Sequence, residues 1–255
     1  MLQQTQVDRV VPYYEAFVER FPSFEALAQA QRADVIRIWG GLGYNRRAVH
    51  LHELARVVVE RHGGELPSDR RQLLALPGIG PYTAGALLSI GFGQDEPALD
   101  TNVRRVVARY AFSGAPNPSD LEWAAAYLVP RGRAGDWNQA LMDLGSSICA
   151  STNPKCLICP LQPGCRSAGV TLRKPTHRPQ PSFRESSRYF RGRLLWRLRS
   201  LAPGATMSLP EIEVSLAAHG VAEPPAGWRA VGEGLARDGL ASITETDAGV
   251  RMGLV

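Results

Sequence analysis

Residues 76–85 read LPGIGPYTAG. Two glycines bracket one apolar residue, and a proline follows at once. Gly78 and Gly80 are free to take positive φ, so the backbone amides of a tight hairpin around Ile79 can face outward. A helix is expected to begin near Pro81, where a missing N–H costs nothing. A glycine turn leading into a helix N-terminus makes an anion pocket suited to a DNA phosphate, which marks Gly78, Ile79 and Gly80 as candidate DNA-binding residues. Taken alone, the same turn also serves as an ordinary connector between helices.

Outward from the turn, apolar residues recur at helical spacing: Val7, Val10, Tyr14, Phe17 and Val18, then Ala48, Leu51, Leu54 and Val58. Their plain meaning is core packing. Breakers fall between the stripes at Pro22, Gly40, Gly41, Gly63, Gly64, Pro77, Pro116 and Pro118. The pattern predicts short helices joined by tight turns, so that residues 1–170 form a mainly α domain. GGLGYNRRA resembles LPGIGPYTAG as a second glycine-hinged turn, without any solenoid period.

A basic, Pro-rich linker is expected over 171–187. Beyond it, 188–255 reads as a small winged-helix-like α+β extension: three helices in RYFRGRLLWRLRSL, LPEIEVSLAAHG and GWRAVGEGLARDG, then two strands around a turn at Asp247–Gly249. Phe190, Leu194, Leu195 and Leu198 give the first of these helices a packing face. The crowded Arg184, Arg188, Arg191, Arg193, Arg197 and Arg199 are expected to point to solvent, either as a plain basic helix or as added phosphate contacts.

The net charge of +5 and pI near 9.3 suit a polyanionic partner. No apolar run approaches a membrane span and no signal-like start is present, so the expected setting is the cytoplasm, beside the nucleoid if the chain is bacterial. The four cysteines, Cys149, Cys156, Cys159 and Cys165, fall in one window, 149–165, spaced C-x6-C-x2-C-x5-C. That is a poor disulfide framework. One Cys per iron in a compact loop fits a 4Fe-4S cluster; zinc on four cysteines is the alternative, although zinc usually takes two separated CxxC knuckles.

MLQQTQV, WGGLGYNRRA, LPGIGPYTAGALLSI, LDTNVRRV, NQALMDLGSSIC and PKCLICPLQPGC occur here in one order. With that order, residues 1 to about 168 resemble the helix-hairpin-helix DNA glycosylases of the endonuclease III superfamily, and within it the adenine-specific mismatch glycosylases (the MutY family). The resemblance implies a six-helix barrel module and a 4Fe-4S cluster module, with duplex DNA gripped at the cleft between them. It implies a monomer acting on double-stranded DNA with an adenine mismatch, without a membrane.

Position by position, the resemblance makes Asp100 the catalytic carboxylate, which stabilises the cation-like sugar beside C1′. Asn102 orients Asp100 or the sugar backbone. Tyr82 stands where bifunctional relatives carry a Schiff-base lysine, and a phenol cannot form an imine, so the implied enzyme is monofunctional. Gln139 reads the edge of the extruded adenine, while Gln4, Thr5, Leu42 and Tyr44 wedge into the stack and touch the opposite purine. A lone Asp is elsewhere usually a cap, and the polar members of this set are elsewhere surface groups.

Two departures from the family bear on function. The family carries a glutamate just ahead of the MLQQTQ stretch, a general acid of the kind worth about 10² to 10⁴-fold, together with an N-terminal helix; this reading expects Met1 to be an internal methionine of a longer chain and the 255-residue chain to be slowed. In place of the family's Nudix-like recognition domain stands only the short extension. Two alternatives follow: a mismatch or lesion DNA-binding protein without catalysis, and a sister glycosylase for thymine opposite guanine.

Overall fold

A computed structural model of the chain describes residues 1–2, 5–113, 115–170 and 182–255. Gln4 and most of the expected linker, 171–181, lie outside the described residues. The chain packs as two compact units, one of Met1–Glu65 with Pro179–Val255, the other of Leu66–Arg178.

The first unit contains α1 (Val7–Arg20), α2 (Phe24–Gln29), α3 (Arg32–Trp39) and α4 (Arg46–His62). The α4 stripe packs as expected, with Ala48, Leu54 and Val58 buried, but the α1 stripe is corrected: Val10 and Phe17 are buried, whereas Val7, Tyr14 and Val18 are exposed. Val10, Phe17, Phe21, Leu27, Val35, Trp39, Leu42, Ala48 and Ala55 are buried together. Ser23 caps α2 by accepting from the Ala26 N–H, and Gly63 ends α4 in the left-handed region. The rest of the unit comes from the other end of the chain: α10 (Ser187–Arg199), β1 (Thr206–Ser208), α11 (Leu209–Ala218), α12 (Gly227–Arg237), β2 (Ser242–Thr246) and β3 (Gly249–Gly253). The strands form an antiparallel sheet in the order β1-β3-β2, with Met252 paired to both Met207 and Ile243. This connectivity is that of a winged helix. Sequence reading missed β1, because three residues are too few for a period-2 pattern and the strand it pairs with lies more than forty residues further on.

The extension does not close its own core. Ile36 of α3 and Val49 of α4 are buried in the same cluster as Leu194, Leu198, Ile212, Trp228 and Met252. The expectation that the α10 arginines face solvent is also corrected. Arg191 pairs with Asp238, Arg197 Nε donates to Ser215 Oγ at 2.7 Å, and Arg199 Nη2 donates to Asn45 Oδ1 at 2.6 Å. Arg193 is half-buried with its guanidinium 4.8 Å over the Trp196 ring, which leaves Arg184 and Arg188 as the exposed pair. The apolar face of α10 is so deeply seated that long side chains flanking it reach partners across the rim.

In the second unit α5 (Arg70–Leu74) leads into the 76–80 hairpin, α6 (Pro81–Ala86) runs on into a π turn at Leu87–Gly91, and α7 (Thr101–Ala111), α8 (Pro118–Leu128) and α9 (Ala134–Ser147) follow. Val103, Val106, Val107, Leu121, Ala125, Leu141 and Leu144 make their shared core. Pro118 at the first turn of α8 and the Asn117 cap set where that helix begins. Among the described residues no helix is long and apolar enough to cross a membrane.

The turn between α3 and α4 depends on glycine in a specific way. Gly40 has φ +49°, and a Cβ there would stand 2.5 Å from Tyr13 Cε1. Gly40→Ala, strained and clashing, should therefore destabilise by more than the ~1 kcal/mol by which a strain-free glycine-to-alanine exchange at most stabilises. It should lower the melting temperature by at least about 2–4 °C, read by calorimetry.

Candidate active site and cysteine loop

The hairpin takes the predicted course with one correction. Gly78 has φ +77°, whereas Gly80 sits at φ −98° as the residue preceding α6, with Pro81 at the first helical position. A Cβ at Gly80 would meet no atom within 4 Å, so in the free chain only Gly78 needs glycine's conformational freedom. Ile79 donates its N–H back to the Leu76 carbonyl at 3.2 Å, which closes the turn.

Asp100 is the N-cap of α7: its Oδ1 accepts from the Val103 N–H at 2.6 Å. Segment 96–98 leads into it, and the fully buried Asn138 of α9 holds that segment from the other side. Asn138 Oδ1 accepts from the Ala98 N–H at 2.8 Å, and its Nδ2 donates to the Glu96 carbonyl at 3.0 Å and to Ser89 Oγ at 2.9 Å. Tyr82, on α6, is half-buried, and its hydroxyl lies 3.6 Å from Met142 Sδ. Burial pushes its pKa above the ordinary tyrosine value, and the nearby Asp100 charge adds to the shift. Tyr82 is therefore a neutral phenol beside the carboxylate at physiological pH.

Asn102, two residues on from Asp100, accepts at Oδ1 from Arg105 Nη2 at 2.8 Å, and α9 crosses so close that a Cβ at Gly145 would stand 2.7 Å from Asn102 Cβ. Gln139 lies exposed on α9 next to Asn138. In this unit the structure thus brings together Asp100, Tyr82 and Asn102 around the start of α7.

The far end of α7 serves the cysteines. All four are free thiols that line one cavity with Arg109, Ile148, Pro154, Lys155 and Ala168. Arg109 Nη1 lies 3.3 Å from Cys149 Sγ and donates to the Ala150 carbonyl at 2.7 Å, while its Nη2 reaches the Ser151 carbonyl at 3.1 Å. Arg105 Nε donates to the Cys149 carbonyl at 2.8 Å. Cys165 Sγ lies 3.4 Å from the Arg109 carbonyl. Among the described residues no three His, Cys, Asp or Glu side chains converge at the spacing of ligands around a single ion.

The remaining candidates belong to the first unit. Tyr44 is 52% exposed and, unusually for an aromatic residue, has φ +45°. Leu42 is 4% exposed and belongs to the core beneath it. Arg47 gathers the neighbourhood: Nη1 donates to the Met1 carbonyl at 2.9 Å, Nη2 to Thr5 Oγ1 at 3.3 Å, and its guanidinium lies over Trp39 and Tyr44. Burial lowers its pKa.

Sequence reasoning passed over Asn138, Arg105, Arg109 and Arg47. For Asn138 a signal existed, since it falls on the buried face of α9 with Ala134, Leu141 and Gly145, where a polar residue needs a reason.

The 76–80 hairpin and the capped Asp100 both fall within the stretch that a known family matches. The chain belongs to the HhH-GPD superfamily of base excision DNA repair proteins, whose family model matches residues 1–131. It is 44% identical over 204 residues to an adenine DNA glycosylase of Mycolicibacterium smegmatis, a match covering 78% of this chain and 69% of that one. An adenine DNA glycosylase of Homo sapiens is 44% identical over 173 residues, covering 66% of this chain and 32% of the human one. A thermostable thymine-DNA glycosylase of known structure aligns with TM-score 0.60 and 34% identity, over 64% of this chain and 78% of that chain. Endonuclease III in a non-covalent DNA complex shares the fold, with TM-score 0.57 and 24% identity, over 66% of this chain and 79% of that chain.

Asn138→Ala would leave the buried Ala98 N–H without its acceptor, at a cost of about 1–3 kcal/mol. The expected outcome is a lower denaturation midpoint together with slowed chemistry, because the segment entering Asp100 loses its anchor. A denaturant titration and a single-turnover assay on the same preparation check both.

Proposed function

We propose that the chain is a monofunctional DNA N-glycosylase that removes adenine mispaired with 8-oxoguanine or guanine from double-stranded DNA. The observation that carries the reading is the half-buried Tyr82 near Asp100, its pKa raised by burial and by the Asp100 charge, in a chain 44% identical to an adenine DNA glycosylase over 204 residues. In this reading the Asp100 carboxylate, held by the Val103 N–H, faces the sugar and stabilises positive charge as the base departs. Tyr82 offers a hydroxyl where an imine-forming enzyme offers an amine, and of the 29 basic residues only Lys155 and Lys174 are lysines. As the bond from C1′ to the base breaks, water forms the new bond at C1′ through its oxygen and its proton ends on the departing adenine, giving free adenine and an abasic site. Asn102, tied to Arg105, supports the start of α7; Gln139 faces the extruded base. The 76–80 hairpin grips a phosphate through its amides. Tyr44 meets the base opposite the target, Thr5 and Gln4 lie alongside it, and Leu42 anchors the turn from below.

The cysteine loop fits a 4Fe-4S cluster in its chemistry. Cys149, Cys156, Cys159 and Cys165 would each hold one iron, and Arg109 and Lys155 set positive charge against the thiolates. The cluster would supply a fixed fold for 149–165, and no step above passes through it. By function the chain divides into the glycosylase domain 1–170, the linker 171–187 and the winged-helix-like extension 188–255, and the protein acts as a soluble cytoplasmic monomer.

A second reading, removal of thymine opposite guanine, draws on the 34% identity to a thymine-DNA glycosylase. Single-turnover assays on duplexes carrying adenine opposite 8-oxoguanine, adenine opposite guanine, and thymine opposite guanine separate the two. Adenine release is expected, leaving an intact abasic strand and no borohydride-trapped adduct. Asp100→Asn should keep the cap, since Asn and Asp cap equally well, yet slow release by at least about 10²-fold. Release of thymine alone would move the assignment to the second reading, and tight binding without release of any base would leave a lesion-binding protein. The same preparation should be brown, with about four irons per chain; one stoichiometric zinc in a colourless protein would refute the cluster.

A further inference from the structure

The turn 40–45 is held from the side of the C-terminal extension. Asn45 immediately precedes α4, a position where an asparagine side chain ordinarily caps the helix. Here it makes no cap hydrogen bond. Its Oδ1 accepts instead from Arg199 Nη2 at 2.6 Å, from the last residue of α10. Arg199 is mostly buried, with its Nε unpartnered, and burial lowers its pKa to about 10, so it stays cationic at neutral pH. The Tyr13 ring lies against Gly40 and Gly41, and Arg9 donates to the Gly41 carbonyl. Further along the same contact Arg37 Nη2 reaches the Leu201 carbonyl at 3.4 Å, and Asp238 sits between Arg191 and Arg46.

Next to Asn45 stands Tyr44, exposed and in the left-handed region that aromatic residues avoid. Such a conformation persists only where its surroundings over-determine it. The ring is supported on one side by Arg47, and the following residue is locked by Arg199. The part of the extension beyond α10 is poorly suited to gripping DNA: residues 201–255 carry seven carboxylates against three arginines, and Arg229 is spent on Glu233 and Glu245, while of the five arginines of α10 only Arg188 is exposed.

We propose that the C-terminal extension is a brace for the 40–45 turn, and that Arg199 is a positioning residue that, through Asn45, holds Tyr44 presented to the base opposite the target. The effect on base choice rests on the function proposed above; the brace does not. Arg199 touches no substrate, and removing it should leave Asp100 and α9 untouched while loosening Tyr44.

The test uses the full chain with Arg199→Met and, because burial puts the folding of that variant at risk, Asn45→Ala, which deletes the same hydrogen bond. Hydrogen exchange of the amides of 41–46 in DNA-free protein reads the brace. Single-turnover adenine release from duplexes with 8-oxoguanine or with guanine opposite reads base choice, each variant being made alone and in a Tyr44→Ala background. A charge-assisted bond of this kind predicts about tenfold faster exchange at 41–46 with α7 and α9 unchanged. It also predicts a several-fold smaller ratio of rates on the two duplexes, and no further change once Tyr44 is alanine. Unchanged exchange at 41–46 in either folded variant overturns the brace. Faster exchange with an unchanged rate ratio, or effects that add to those of Tyr44→Ala, overturns the role of Arg199 in base choice. If the unsubstituted chain releases no adenine, the proposed function fails while the exchange result still decides the brace.

Discussion

The hydrogen bond from the Val103 N–H to Asp100 Oδ1 ties the candidate catalytic carboxylate to one end of α7, and the other end of the same helix ties down the cysteine loop through Arg105 and Arg109. Arg109 stands nine positions after Asp100, about 13.5 Å of helix at 1.5 Å per residue. A helix of that length is a stiff spacer. The backbone of 149–151 is fixed to α7 by guanidinium groups independently of what the thiols hold, so carboxylate and loop keep their separation through protein contacts alone. Packing keeps that spacer in place: Val103, Val106 and Val107 bury one side of it against α8 and α9, and Gly145 lets α9 approach at Asn102.

Among the described residues of this unit the buried polar side chains, Ser89 and Asn138, both have hydrogen-bond partners. Asn138 satisfies a buried amide, a buried hydroxyl and a carbonyl at once. A network of that kind fixes one arrangement of the chain because any alternative leaves unpaired groups behind. In the first unit the corresponding task falls to cations. Arg47 lies over two aromatic rings and donates to the N-terminal segment, and Arg199 reaches in from the other end of the chain. Arginine suits both places because its planar fork serves several acceptors while its faces stack on rings.

The legible part of this protein was the part written in local pattern. Helical stripes, glycine turns and the cysteine spacing announced the elements up to residue 170 and the three helices of the extension, since each depends on residues within a few positions of one another. What escaped notice depends on distant partners. Strand β1 exists only because β3 pairs with it, and the α10 arginines read as a solvent face because Asp238, Ser215 and Asn45 are far away in sequence. Gly80 was given a conformation that only Gly78 adopts, since a glycine's freedom is visible in a sequence and its use is not. Asn138 hid behind Gln139: the neighbour carried a family role, whereas the buried asparagine carries the architecture.

The first unit is assembled from both ends of the chain, with Ile36 and Val49 buried among residues beyond 190. Chains emerge from the ribosome N-terminus first, and units fold as they become complete. Helices α1–α4 are therefore made well before the residues beyond 190 that cover this part of their surface, and the whole of the second unit is made in between. During this interval Ile36 of α3 and Val49 of α4 lack the side chains that bury them, leaving apolar surface of the kind that chaperones hold.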